Sequence, residues 1–158
     1  MEDLRIPFSK IKIRAMPIGF ALDIERKLIY SRYFDRVTEK DVAAAYPKIF
    51  KAMNGWGHAT EIADLTEVSH MDVPVQSIRD TAERTATMHK TLHLQGTKFI
   101  VASSDVIYGF ARIYSAHAAF VGALEVTVVR SLAEAQYRLN LTENILDPLV
   151  AEVRAASN

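Results

Sequence analysis

Two histidines four residues apart, His89 and His93, and the run Ser103-Ser104-Asp105 are the places where residue type and spacing suggest chemistry. On a helix, His89 and His93 would share a face and could begin a zinc site. A zincin needs a glutamate directly after its first histidine, and Lys90 stands there instead. Surface or core-edge histidines are the plainer reading, and no metal is expected. His58, His70 and His117 are scattered, with nothing local to bring a carboxylate to them. Ser103-Ser104-Asp105 falls where a strand should meet a helix N-terminus, whose free N–H groups and dipole favour an anion. A phosphate or carboxylate could bind there, helped by Arg112 two turns on. Asp105 opposes this by bringing its own negative charge as a cap. Neither serine has the strained elbow of a hydrolase nucleophile, and no Gly-rich phosphate loop is present. Asp64 and Asp72 could work as acid and base only if burial drove their pKa values apart. Asp64 is expected at the C-terminal end of a strand, where open α/β sheets bind ligands, although a structural role competes. Tyr108 and Arg112, four apart on one helix, could stack. The ligand-binding candidates are therefore Asp64, Ser103, Ser104, Tyr108 and Arg112. No residue is assigned to catalysis and no cofactor is expected.

The elements that must position these residues are legible from periodicity. Lys10, Lys12 and Arg14 alternate with Ile11, Ile13 and Ala15, which suits an edge strand or a loosely docked arm over residues 1–18. A hairpin follows, with strands 19–24 and 28–34 and a turn at Glu25-Arg26-Lys27. Thr38 is placed to cap a helix whose buried face is Val42, Ala45, Tyr46, Ile49 and Phe50, with Pro47 inside and a stop at Asn54-Gly55-Trp56-Gly57. A strand is expected over 60–66, then a loop to Asp72. Pro74 suits the start of a helix reaching Leu92, with Val75, Ile78, Ala82, Ala86, His89 and Leu92 on one side. The apolar run 98–102 reads as a strand buried on both faces. A helix from 105 to Gly122 carries Ile107, Phe110, Ala111, Tyr114 and Ala118 toward the core. Residues 125–129 are the last strand. Ser131 and Glu134 read as a capping box opening a helix to about Leu141, and 142–158 as a further amphipathic helix. The order predicts an α/β fold: an N-terminal β-hairpin, then alternating helix and strand, giving a mixed, mostly parallel sheet covered by helices. Residues 19–141 form the domain and 142–158 a C-terminal helical extension packed on it.

Composition limits the function. The 158 residues suit one domain, and 19 basic against 19 acidic residues leave no net charge. Without a basic stripe, nucleic-acid binding ranks lowest, and little opposes self-association. The absence of cysteine excludes thiol catalysis, disulfides and Cys-type zinc sites. No apolar run approaches the ~20 residues that span a bilayer, and the charged start does not read as a signal peptide. A cytoplasmic location without membrane insertion is expected.

Two stretches resemble a known family. Ile62-Ala63-Asp64-Leu65-Thr66-Glu67-Val68-Ser69-His70-Met71-Asp72 is similar to the central STAS signature, a strand ending in Asp-Leu-Ser, a short loop and an Asp before a helix. Thr97 to Arg112 resembles the matching strand–loop–helix of small bacterial SpoIIAA-like proteins, a group related to STAS and CRAL-TRIO-type domains. The resemblance spans about residues 19–141 and implies a SpoIIAA/STAS-like layered fold. In anti-sigma-factor antagonists, a serine directly after the loop Asp is the phosphorylation switch. Here Val73 and Pro74 follow Asp72, so no hydroxyl occupies that position. The resemblance then implies a non-catalytic regulatory or protein-interaction module, with Asp72, Val73 and Val75 as partner-binding candidates. Its partner would be another protein or a second copy, a homodimer among the options. The alternative is a small-molecule binder for a lipid-like apolar or an anionic ligand. An enzyme assembled from His70, Asp64, Asp72 and Arg112 in space ranks third.

Overall fold

The N-terminal hairpin pairs β1 (Ile18–Asp23) with β2 (Leu28–Thr38) in antiparallel register. Its turn is held by Asp23, whose carboxylate accepts from the Arg26 backbone N–H at 3.0 Å, with Lys27 in the left-handed region at φ 51°. The structure, a computed structural model, describes residues 16–122 and 124–157. Of the strand or arm expected over residues 1–18, residues 1–15 lie outside them, and Ile18 already belongs to β1.

Each helix starts where the local chemistry satisfies its free N–H groups. Thr38 and Asp41 form a reciprocal capping box at the head of α1 (Glu39–Ala52). Pro74 is the N-cap of α2 (Val75–Thr91). Ser104 Oγ accepts from the Ile107 N–H to open α3 (Asp105–Val121), which Gly122 ends at φ 64°. At α4 (Leu132–Arg138) the expected box is only half made. Ser131 accepts from the Glu134 N–H, but the Glu134 carboxylate turns to the Arg130 N–H. This helix stops three residues before Leu141, and Asn140 turns the chain at φ 54°. It leads into α5 (Glu143–Ala156), which continues through Pro148.

The three remaining strands are β3 (His58–Asp72), β4 (Gln95–Val101) and β5 (Glu125–Val129). The loop expected after residue 66 does not exist, because β3 runs on to Asp72 against the far half of β2. Arg36, Val37 and Thr38 pair with His70, Met71 and Asp72 beyond two register shifts, so tertiary pairing extends a stretch whose composition reads as loop.

The sheet order is β1-β2-β3-β4-β5, antiparallel at the hairpin and parallel elsewhere. The order never reverses. Three crossovers of one hand therefore lay α1, α2 and α3 on the same face. That face buries Tyr33, Ala63, Leu65, Ile100 and Val128 against Ala45, Ile78, Ala111 and Tyr114. The other face must be covered by what remains of the chain. There, α4 and α5 bury Ala135, Leu146, Leu149 and Val153 on Tyr30, Ile62, Phe99 and Val101. The result is a three-layer α/β/α sandwich. The helix over 143–156 packs on β1 and β2.

Candidate functional site

Strand alternation puts one charged residue from each of two neighbouring strands on the face beneath α1–α3. Glu61 of β3 and Lys98 of β4 are direct register partners. Lys98 is only 2% exposed. Its Nζ lies 3.2 Å from Glu61 Oε2, and Glu61 Oε1 accepts from Ser31 Oγ at 2.8 Å. Lys98 also donates to the Tyr46 hydroxyl at 3.1 Å. Its ammonium lies over the rings of Tyr46 and Tyr114, at 5.1 and 5.2 Å from their centroids. Tyr114 in turn donates to Thr85 Oγ1 at 3.4 Å.

Burial alone would strip the proton from Lys98. The Glu61 carboxylate, joined by Tyr114 and Tyr33, outweighs it and holds the lysine above its ordinary pKa. Burial pushes the hydroxyls of Tyr33 and Tyr46 well above theirs, so both are neutral. His89 borders the same network. Burial lowers its pKa, against the opposing bond from its Nδ1 to the Leu94 carbonyl at 3.1 Å. At neutral pH the lysine is charged beside Glu61, and Tyr33 and Tyr46 keep their protons.

Above the pair is a cavity of about 80 Å³, walled by Val42, Val73, Ile78, Ile100 and Phe110 and floored by Lys98 and the three tyrosines. A wider groove of about 610 Å³ lies between α1 and α2. It shares Val42, Tyr46, Val73 and Thr81 with the inner cavity, so the gap between the helices leads down toward Lys98. The gap follows from the packing: α1 rests on β1 and β2, whereas α2 leans on α3. Glu39, Asp80, Glu83 and Arg84 stand along the groove.

The residues singled out from sequence do not converge on this cavity as a group. Asp64 is buried on the opposite face, in the middle of β3 rather than at its end. It accepts from the Tyr30 hydroxyl at 2.7 Å and from Thr66 N–H and Oγ1 at 3.0 and 2.7 Å. Because the strand order never reverses, the sheet offers no switch-point crevice beside it. Ser103 and Tyr108 do meet, but around Arg130 rather than Arg112, and the Ser104 hydroxyl is taken by the helix cap. Arg130 donates to the Ser103 carbonyl at 3.2 Å, pairs with Asp105 at 2.9 Å and lies over the Tyr108 ring at 3.8 Å. The expected Tyr108–Arg112 stack is thus replaced, and Arg112 is exposed. Asp72 pairs with Arg36. Val75 is exposed at the head of α2. Val73 is buried and lines the cavity, so it is wall rather than outer surface. His93 lies beyond the end of α2 at φ 50°, so it shares no helix face with His89. Among the described residues, no three His, Asp or Glu gather as metal ligands.

Lys98 and Glu61 escaped the sequence reading, although a signal existed. Glu61 has the parity of Ala63 and Leu65, and Lys98 that of Ile100. Opposite charges at core-facing positions of two strands mark a buried pair once the strands are known to be neighbours.

The chain matches no family model and no curated protein. Among solved structures, it is similar to an uncharacterised protein of the DUF3478 family with a SpoIIAA-like fold from Shewanella loihica PV-4. That match has 14% identity and a TM-score of 0.51, covering 77% of this chain and 91% of that one. It is also similar to the anti-sigma factor antagonist SpoIIAA in its unphosphorylated form, with 15% identity and a TM-score of 0.48, covering 78% and 97%. The fold is SpoIIAA-like, as the two sequence stretches implied. Among the described residues, no helix is long and apolar enough to cross a membrane.

Proposed function

We propose that this SpoIIAA-like domain is a non-catalytic, regulatory binding module that takes a small, largely apolar molecule between α1, α2 and the sheet. The observation that carries the reading is the apolar cavity above Lys98, open to the α1–α2 groove. Pockets of this kind, apolar with a few convergent polar groups, are the usual form of a small-molecule site. Binding is favoured over turnover because each reactive group is already committed. Lys98 stays an ammonium and is no nucleophile, Glu61 is held by Lys98 and Ser31, and Tyr33 and Tyr46 keep their protons. Control by phosphorylation is not part of the reading, because a buried valine follows Asp72. The test is methyl NMR during titration with a short hydrocarbon such as 1-heptene. Shifts confined to Val42, Val73, Ile78 and Ile100 support the site, and a Val73→Phe variant that fills it should abolish them. If the cavity methyls stay still, the reading fails.

A second reading, self-association through α3, rests on a separate observation. Val106, Gly109, Ile113, Ala116 and Phe120 alternate by three and four along the helix; Val106 and Phe120 are 70% and 85% exposed, and Ile113 is partly buried against the core. Such spacing is that of a helix-pairing seam. Sedimentation of the wild type and of Phe120→Ser decides it: a dimer that the variant dissociates supports pairing, and a monomeric wild type removes it.

A further inference from the structure

We infer that the cavity selects an uncharged chain with a hydrogen-bond acceptor at its inner end, a ketone, ester or amide carbonyl, and rejects a carboxylate of the same length. The inference rests on the proposed binding role of this site and adds the chemical class of its occupant.

The inner end of the site is set by Lys98. An ammonium has three N–H donors. Glu61 and the Tyr46 hydroxyl accept two of them, which leaves the third, among the described residues, with nothing stronger than ring faces. The lysine is 2% exposed and lines the cavity, so water supplies little in compensation. A carbonyl oxygen entering from above would complete the set. Tyr33 and Tyr114 line the same space.

The charge of the occupant follows from the balance already present. Lys98 and Glu61 cancel, and Tyr33 and Tyr46 are neutral. A carboxylate would leave the buried site with a net negative charge, an expensive arrangement away from water. The entrance repeats the preference, since Glu39, Asp80 and Glu83 stand there against Arg84 alone. Shape then asks for a narrow chain. The inner space of about 80 Å³ takes only a few heavy atoms, and the remainder would run outward into the groove.

The experiment compares 2-heptanone, heptanoate and 1-heptene at pH 7 by methyl NMR titration of the full chain. The expected order is the ketone tightest, by about tenfold over the alkene, the factor that one hydrogen bond to a charged donor readily supplies. Heptanoate should be weaker than the ketone by at least as much. Lys98→Met combined with Glu61→Gln keeps the site neutral and should erase the ketone's advantage over the alkene while both still bind. Tyr46→Phe, which keeps the ring, should retain most of that advantage. Heptanoate binding as tightly as the ketone overturns the inference, as does a ketone advantage that survives the double variant. If none of the three probes moves the cavity methyls, the binding site itself is refuted, an outcome distinct from the wrong selectivity. Should the double variant fail to fold, the wild-type order of ketone against heptanoate still decides.

Discussion

Replacing Lys98 by methionine should cost the fold more than any surface change, and restoring charge balance should recover most of the loss. The side chains of Lys98 and Glu61 are only 3% and 12% exposed, so Lys98→Met strands a carboxylate in the interior. Removing one partner of a buried pair costs about 3–5 kcal/mol. The lower end applies here, because Glu61 keeps its bond from Ser31. At a urea m-value of about 2 kcal/mol/M, a loss of about 3 kcal/mol moves the midpoint down by roughly 1.5 M. Lys98→Met/Glu61→Gln removes the stranded charge and should return most of that shift, since neutral replacements of buried pairs are often near neutral in stability. Glu61→Gln alone supplies a sign check. In the wild type, the folded pKa of Lys98 lies above the unfolded value of 10.5, so its contribution is full below 10.5 and is lost only as pH rises through the folded pKa. Without Glu61, desolvation dominates and the folded pKa falls below 10.5. The stability of Glu61→Gln should therefore rise with pH toward 10, whereas the wild type's Lys98 contribution stays constant there. Equilibrium unfolding at pH 7 and pH 9.5 reads all four proteins. A Lys98→Met variant as stable as the wild type, or a double variant no better than the single, would refute the reasoning.

Three more outcomes follow from the same structure. Gly96→Ala places a Cβ 2.6 Å from His89 Cε1, and overpacking of this kind should cost about 1–3 kcal/mol in urea unfolding. Tyr30→Phe removes the 2.7 Å bond to Asp64 and should lose about 1.5–3 kcal/mol, yet leave 1-heptene binding unchanged, because that pair lies on the opposite face of the sheet. His89 has a folded pKa below its ordinary 6.5, so protonation favours the unfolded chain and stability must fall as pH drops below 6.5. His89→Gln keeps a donor for the Leu94 carbonyl and should flatten that part of the profile between pH 7 and pH 5, as followed by thermal unfolding.

The elements with local signals were readable from sequence, and the site was not. Thr38 and Gly122 bound their helices in the manner that cap chemistry requires, because a cap is satisfied within a few residues, whereas the cap expected from Asp105 comes from Ser104 one residue earlier. The second half of β3 was read as loop because Ser69, His70 and Asp72 carry no strand preference. It is extended only because Arg36, Val37 and Thr38 of a parallel neighbour offer backbone partners. Asp64 was placed at a strand end for the same reason, and the longer strand moves it to the middle. Arg130, 22 residues beyond Tyr108, took the role assigned to Arg112. The Lys98 cluster draws on Ser31, Tyr33, Tyr46, Glu61 and Tyr114, which four different elements hold and no spacing links.

Cavity and charge pair are best understood as one device. A strand order that advances without reversal stacks three helices on one face and supplies no switch-point crevice at the sheet end, which leaves the space between helices and sheet for a small-molecule site. On that face, an uncompensated lysine would be intolerable, and Glu61 alone satisfies one N–H of three. Tyrosine hydroxyls can approach an ammonium while their rings face apolar neighbours. Tyr46 brings one such hydroxyl from α1, and Tyr114 a ring from α3. The collar demands that those helices stand far enough from the sheet for a tyrosine, and from one another for the groove beside α2. Were the pair replaced by leucine and methionine, the tyrosines would lose their reason to be there, and smaller apolar residues could let α1 and α2 close together. The ion pair thus keeps open the space that a ligand can use.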